Sequence, residues 1–309
     1  MGGSAGLRVL TREEVSRALP GIPEQIELAR RTFEALARGE IELPPKIGVH
    51  PRRDAFIHAM PAYLKTEDVA AIKWVSGYPE NPTRGLPYIH GLIVVNDPET
   101  GVPRAVMDAA EITAARTAAA SGACIEAFAP EGWHRVAILG CGEQGRYHAR
   151  VLRTLSPDAE IRAFDVDSTR ATSLGEGTIV AHGPREAVDG AEIVITAGPI
   201  VERPAPPIDA SWLPGRVLLL PIDFDFYVSA GAIAACDAFH VDDVEQFEYY
   251  RRQGHFQGWP APDGSVGEAL LAGGGAPGRV TCANLGIGAH DTAFAAAVLA
   301  ATDANLEIR

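Results

Sequence analysis

Apolar and polar positions alternate along this chain with two different periods, and the change of period divides it. Residues 7–10 read as a short strand, and Thr11 with Glu14 forms a capping box that opens a helix from about Arg12 to Leu19. Ile26, Ala29, Phe33, Leu36 and Ala37 recur at helical spacing between Pro23 and Arg38, and Gly39 closes that helix. A proline-rich stretch from Glu42 to Lys46 leads into short strands at Ile47–Val49 and Ala55–His58. Val69 to Val75 is an apolar strand interrupted by Lys73. The turn from Asp97 to Gly101 joins Ile89–Asn96 to Pro103–Asp108 as a hairpin. Ala110 to Phe128 is a long helix built almost entirely of small residues, interrupted by Arg116.

From Val136 onward strands and helices take turns. Val136–Leu139, Ile161–Phe164, Thr178–Ala181, Glu192–Thr196 and Val217–Leu220 read as strands. Arg146–Leu155, Ser168–Leu174 and Arg185–Val188 read as helices between them. That alternation predicts an α/β fold with a doubly wound parallel sheet. Its first turn carries Gly140, Gly142 and Gly145 in the spacing G-x-G-x-x-G, with Glu143 and Gln144 between the last two. In a phosphate-binding turn the first glycine makes the bend and the second admits a pyrophosphate to the backbone. The third lets helix and strand pack closely, and the helix start offers unpaired N–H groups. Asp165 ends the next strand twenty residues after Gly145, where a carboxylate would meet a ribose 2′-hydroxyl. A carboxylate there repels a 2′-phosphate, so the dinucleotide expected is NAD over NADP. Thr196 with Ala197, and Asp223, also fall at strand ends, where such sheets bind ligands.

Composition narrows the classes. The 309 residues suffice for two domains, and a formal charge of −13 leaves no basic surplus for nucleic acid. Four cysteines stand apart without metal-like spacing, and the histidines show none either, so no metal is expected. No long apolar run marks a signal or a membrane span, which makes the cytoplasm the expected location. Lys73 within an apolar strand either snorkels to an edge or points into a polar site. Arg116 either reaches water or faces an anion.

Several motifs in register resemble the ornithine cyclodeaminase/μ-crystallin family. They are Met60-Pro61-Ala62, the block from Lys73 to Pro82, Thr100 to Pro103, Ile112 to Ala119, the Gly140–Gly145 loop, and Leu285 to Asp291. The resemblance implies a Rossmann NAD-binding domain (129–284) inserted into a smaller α+β substrate-binding and dimerisation domain (1–128 plus 285–309), and a homodimer. It implies that Lys73 and Arg116 line the substrate pocket, with Lys46 as a third cation around the substrate α-carboxylate. Three cations there would orient Cα, and a desolvated Lys73 could shuttle a proton. Asp223 falls where ornithine cyclodeaminases place an aspartate that binds and deprotonates the attacking amine. Three positions depart from the pattern: Lys46 replaces a frequent arginine, His58 aligns with a glutamate suited to a distal ammonium, and Phe224 and its neighbours replace a glycine-rich stretch.

The resemblance implies hydride abstraction from Cα of an L-amino acid to give an imine, followed by cyclisation with loss of ammonia, as in ornithine to proline. The alternative is a net oxidoreductase of the same family, an alanine dehydrogenase or a cyclic ketimine (imino acid) reductase, for which His58 and the surroundings of Asp223 speak. A non-catalytic NAD(P)H-dependent small-molecule binder is the remaining class, and the presence of both Lys73 and Arg116 argues against it.

Overall fold

The computed structural model describes residues 6–201, 204–275 and 278–307, with side chains to 302. It divides into two compact units, 1–116 with 287–309 and 117–286. The ends of the first unit, 1–5 and 308–309, lie outside the described residues. Both changeovers differ slightly from the boundaries that the sequence suggests. One lies inside the long helix rather than at its end, and the other lies just before the final helix.

The first unit is a seven-stranded mixed sheet covered on one face. Its strands are β1 (Arg8–Leu10), β2 (Ile41–Glu42), β3 (Ile47–Arg52), β4 (Ala55–Leu64), β5 (Val69–Gly77), β6 (Ile89–Asn96) and β7 (Pro103–Asp108). They run in the order β1-β7-β6-β5-β4-β2, with β3 also paired to β4. All pairs are antiparallel except β1 with β7. Two helices follow β1, α1 (Arg12–Ala18) with its Thr11–Glu14 capping box and α2 (Ile22–Ala37).

Period-two alternation decides which side chains face the helices. On β5, Ala71, Lys73, Val75 and Gly77 are buried while Trp74 between them is half-exposed. On β4, His58, Met60, Ala62 and Leu64 are buried. The final helix (Gly288–Glu307) packs against β4, β5 and α2, and Phe33, Ile93, Met107 and Phe294 form the core there. β4 continues well past His58, through Pro61, where a break is expected from the missing N–H. The strand tolerates it because Pro61 lies beyond the β3 pairing at Ala59 and before the β2 pairing at Tyr63, where the outer edge needs no donor.

The second unit begins inside α3 (Ala110–Phe128) and contains an all-parallel sheet. Its strands are β8 (Arg135–Leu139), β9 (Glu160–Phe164), β10 (Ile179–Val180), β11 (Ile193–Thr196), β12 (Val217–Pro221), β13 (Ala238–Val241), β14 (Gly264–Ser265) and β15 (Arg279–Ala283). The order β10-β9-β8-β11-β12-β15-β13-β14 is the doubly wound arrangement, reversing direction between β8 and β11. A strand that the sequence reading does not include precedes the last helix: β15, with Val280 to Ala283 buried, sits between β12 and β13. Among the described residues no helix is long and apolar enough to cross a membrane.

Gly288 starts the final helix against the backbone of β4. A Cβ at this position would lie 2.8 Å from the Met60 carbonyl oxygen and 3.0 Å from that of Pro61. Neither backbone oxygen can yield without shifting the strand. Gly288→Ala is therefore expected to lower stability by about 1–3 kcal/mol despite alanine's better helix propensity. Urea denaturation checks this, and an unchanged midpoint would show that the helix start does not bear on β4.

Candidate active site

In the first unit the charged residues that the sequence singles out come together. Lys73 and Arg116 are both buried, so neither snorkels to an edge nor reaches open water. The Lys73 ammonium lies 2.8 Å from both carboxylate oxygens of Asp291 and donates a hydrogen bond to Oδ1. Oδ2, equally near, receives no well-aligned donor. Arg116 Nε donates to Oδ1 as well, at 3.0 Å, and Thr113 Oγ1 stands 3.4 Å from Lys73 Nζ. Lys46 is buried too and lies near enough to act on the charge of Lys73.

Burial, reinforced by Arg116 and Lys46, draws the Lys73 ammonium from its ordinary range down to about 7 against the pull of Asp291. For Asp291 burial alone would raise the carboxyl, but Arg116 and Lys73 outweigh it and hold it below the usual range. Lysine near neutrality can give or take a proton at ordinary pH. His58 shares the buried face with Lys73, being opposite Val75 while Lys73 is opposite Met60. Its ring stacks on Phe56 at 4.3 Å and meets His50 edge-on.

Asp291 is the residue that reading the sequence undervalued. A carboxylate at the start of a helix has a ready explanation as an N-cap. The structure instead places it inside the first turn of the final helix, facing β5 and Arg116. Its presence in the Leu285–Asp291 motif was the available signal. Among the described residues of this unit it is the one buried carboxylate.

In the second unit the glycine loop has the geometry its spacing implies. Gly140 has φ +94°, and a Cβ on it would overlap the Ala197 carbonyl. A Cβ on Gly145 would lie 2.5 Å from the Gly140 carbonyl oxygen. Gly142 faces open space and precedes α4 (Glu143–Leu155), whose first turn holds Glu143 and Gln144 and receives no side-chain cap at Gly142. A helix start beside an open glycine suits a pyrophosphate.

Asp165 is fastened by two backbone donors, Cys141 N at 2.7 Å and Asp167 N at 2.9 Å. It lines a groove with Val166, Ser168 and His182. Arg170, the nearby cation that could favour a 2′-phosphate, leans toward Asp167 at 3.6 Å. These residues fit a dinucleotide with an unmodified ribose.

At the ends of β11 and β12, Thr196 Oγ1 donates to Asp223 Oδ1 at 2.5 Å and Gly198 N to Oδ2 at 2.8 Å. Burial nevertheless raises the Asp223 carboxyl to about 7. The next residue, Phe224, has φ +61°, a left-handed conformation costing a non-glycine residue roughly 1–2 kcal/mol. Tyr250 and His255 grip its ring edge-on at 5.1 Å each, and Asp225 accepts from Phe256 N at 2.7 Å. Where a glycine-rich stretch is expected, an aromatic cluster holds the same kind of backbone.

The model of the ornithine cyclodeaminase/mu-crystallin family matches residues 7–225. The chain belongs to this family. It is 36% identical over 311 residues to a nodulation efficiency protein (NfeD) of Rhizobium meliloti, covering 95% of each chain. With an alanine dehydrogenase of Archaeoglobus fulgidus it shares 31% identity over 210 residues, 66% of this chain and 63% of that one. An archaeal alanine dehydrogenase dimer with bound NAD superposes with a TM-score of 0.85 at 26% identity, over 97% of both chains. Family relatives also bear the names ornithine cyclodeaminase, pyrroline-2-carboxylate reductase and ketimine reductase.

The remaining buried histidines serve structure. His148 Nδ1 bonds the Gln144 carbonyl at 2.8 Å, so it carries the proton and Nε2 accepts from Ser121 Oγ at 2.9 Å. His290 bonds the Ala29 carbonyl and meets Phe33 edge-on. Among the described residues no group of histidine, cysteine and carboxylate could hold a metal. Burial lowers both imidazoles to about 4 from the 6.5 of the unfolded chain. The unfolded state then binds more protons between those values, so their contribution is complete above pH 6.5 and falls as the pH drops toward 4. Each contributes a slope of up to about 1.4 kcal/mol per pH unit. Urea midpoints at pH 5 and 7.5 should differ less in His148→Gln than in wild type, and equal differences would refute the assignment.

Proposed function

We propose that this protein is an NAD(H)-dependent oxidoreductase that interconverts a small α-amino acid and its imine at Cα. The observation that carries the reading is the buried cluster of Lys73, Arg116 and Lys46, with Lys73 near neutrality. Lys46 and Arg116 bind the substrate α-carboxylate and fix the direction of Cα–H. Lys73 carries the proton that the reacting nitrogen loses on oxidation and regains on reduction. Asp223, in the second unit and also near neutrality, is a carboxyl able to take or give a proton. Gly140, Gly142, Gly145 and the first turn of α4, with Thr196 and Ala197, hold the dinucleotide, and Asp165 takes the ribose hydroxyls of NAD in preference to NADP. Bound NAD(H) supplies the hydride acceptor or donor.

A net redox reaction fits the first unit better than cyclodeamination. Ornithine brings a distal ammonium, yet the one buried carboxylate described there already faces two cations. His58, stacked on Phe56, stands where cyclodeaminases carry a glutamate. Asp223 favours the second reading, conversion of ornithine to proline, because a carboxyl near neutrality can deprotonate an attacking amine. A panel of alanine, ornithine and cyclic imino acids with each cofactor separates them. Stoichiometric NADH turnover, with a lower KM for NADH than NADPH, is expected. Proline and ammonia from ornithine without net NADH would establish the second reading, and no turnover at all would leave a binding protein.

The uncovered face of the first sheet supports a homodimer. Val9, Val49, Ile47, Trp74 and Leu92 are each about half or more exposed. Val106 beside Val9, Val94 beside Val106, and Trp74 beside Leu92 join them across the strands. Such a continuous apolar patch is unusual on a monomer, and a second copy presents the same self-complementary face. The double variant Trp74→Glu, Leu92→Asp should elute as a folded monomer in light scattering, whereas a persisting dimer would place the interface elsewhere.

A further inference from the structure

We propose that Asp291 is a positioning residue, a built-in counter-ion that aligns the Lys73 ammonium with the Arg116 guanidinium and retains the proton on Lys73 until a substrate carboxylate arrives. The inference rests on the reading of Lys73 and Arg116 as substrate-facing groups, and goes beyond it by assigning a role to a residue that never needs to touch substrate.

Three features of the structure support this role. The first is geometry: a single carboxylate oxygen accepts from both cations, at 2.8 and 3.0 Å, so the two side chains are held in register by one atom. The second is rigidity. Asp291 stands in the first turn of the final helix, whose start at Gly288 abuts the Met60 and Pro61 carbonyls, and Met60 is the cross-strand partner of Lys73. The carboxylate and the ammonium are thus fixed to the same stretch of β4 from two sides. The third is charge. Lys46, Arg116 and Lys73 would bring three positive charges into a buried place, and Asp291 is the one buried carboxylate described in this unit.

The groups facing Lys73 can be summed element by element. Arg116 on α3 and Lys46 before β3 repel its proton, while Asp291 on the final helix attracts it. His290, the neighbour of Asp291, stays neutral at working pH, and His58 on β4 lies on the same buried face. Removing Asp291's charge leaves only repulsion, so Lys73 must release its proton at lower pH. With Asp291 present and a substrate carboxylate added, the negative charges rise to two, and Lys73 has the surroundings to keep its proton until it gives it to the nitrogen of an imine being reduced.

The chain contains only three lysines, Lys46, Lys65 and Lys73, which makes the charge directly visible. In protein labelled with 13C and 15N at lysine, the Lys73 side-chain signal of the wild type is expected to titrate near neutrality. In Asp291→Asn, an isosteric change, its midpoint should fall by at least one pH unit, while exposed-edge Lys65, which bonds the Gly39 carbonyl, keeps its own. The limb of the kcat/KM profile that belongs to Lys73 should move to lower pH by the same amount. An unmoved Lys73 midpoint in a variant with normal circular dichroism and NADH binding would overturn the proposal. Should Asp291→Asn not fold, the wild-type Asp291 carboxyl carbon provides the test. It must show a step at the Lys73 midpoint, and its absence would equally overturn the proposal. Neither resonance measurement needs turnover, so a failed substrate panel would count against the proposed reaction and not against this role of Asp291.

Discussion

The constraint on which the first unit turns is the burial of like charges. Lys73 and Arg116 are removed from water in one place, and an unpaired ion there would cost several kcal/mol. Asp291 compensates them, and because it does so from a helix at the far end of the chain, the fold must bring residues 73, 116 and 291 together before either cation is tolerable. Truncating one partner of such a group destabilises by about 3–5 kcal/mol, mostly through the charge left behind. The same desolvation that makes the cluster costly moves Lys73 toward neutrality. Stability is given up at the position to which the proposed reaction assigns proton transfer.

The second unit solves a different problem, that of holding backbone rather than charge. Its glycine loop lies close against neighbouring chain at Gly140 and Gly145 and is open at Gly142, and Asp165 is tied to this loop through Cys141 N. Asp165 and the glycine turn are therefore one hydrogen-bonded piece. At the end of β12 the strained Phe224 is fixed by rings rather than replaced by glycine. Local strain of this size persists only where surroundings over-determine the conformation, and it sits directly beside the buried carboxyl of Asp223.

Family membership and fold leave the net reaction to the local groups. The same scaffold serves relatives named as dehydrogenases, reductases and cyclodeaminases. Carboxylates available to a second amine distinguish these outcomes chemically. Here the first unit spends its buried carboxylate on its own cations, which is why the reaction proposed for it is redox turnover of an amino or imino acid without a distal charge.

Much of this was legible in the linear chain, because it depends on local periodicity. The Thr11–Glu14 cap, the Ile89–Asp108 hairpin, the parallel alternation after Val136 and the glycine spacing all rest on neighbours within a few residues, and the structure contains each. Lys73 and Arg116 stood out as charges in apolar runs, but whether they met water or an anion was open, since the answer lay 218 and 175 residues away in Asp291. β15 was hidden for the same reason: a short apolar run gains strand identity only from β12 and β13 on either side. The extension of β4 through Pro61 depended on a gap between two partner strands. Residue order determined the elements and named the cations. Tertiary structure chose their counter-ion, because electrostatic partners in a low-dielectric interior are set by distance in space, which local sequence does not encode.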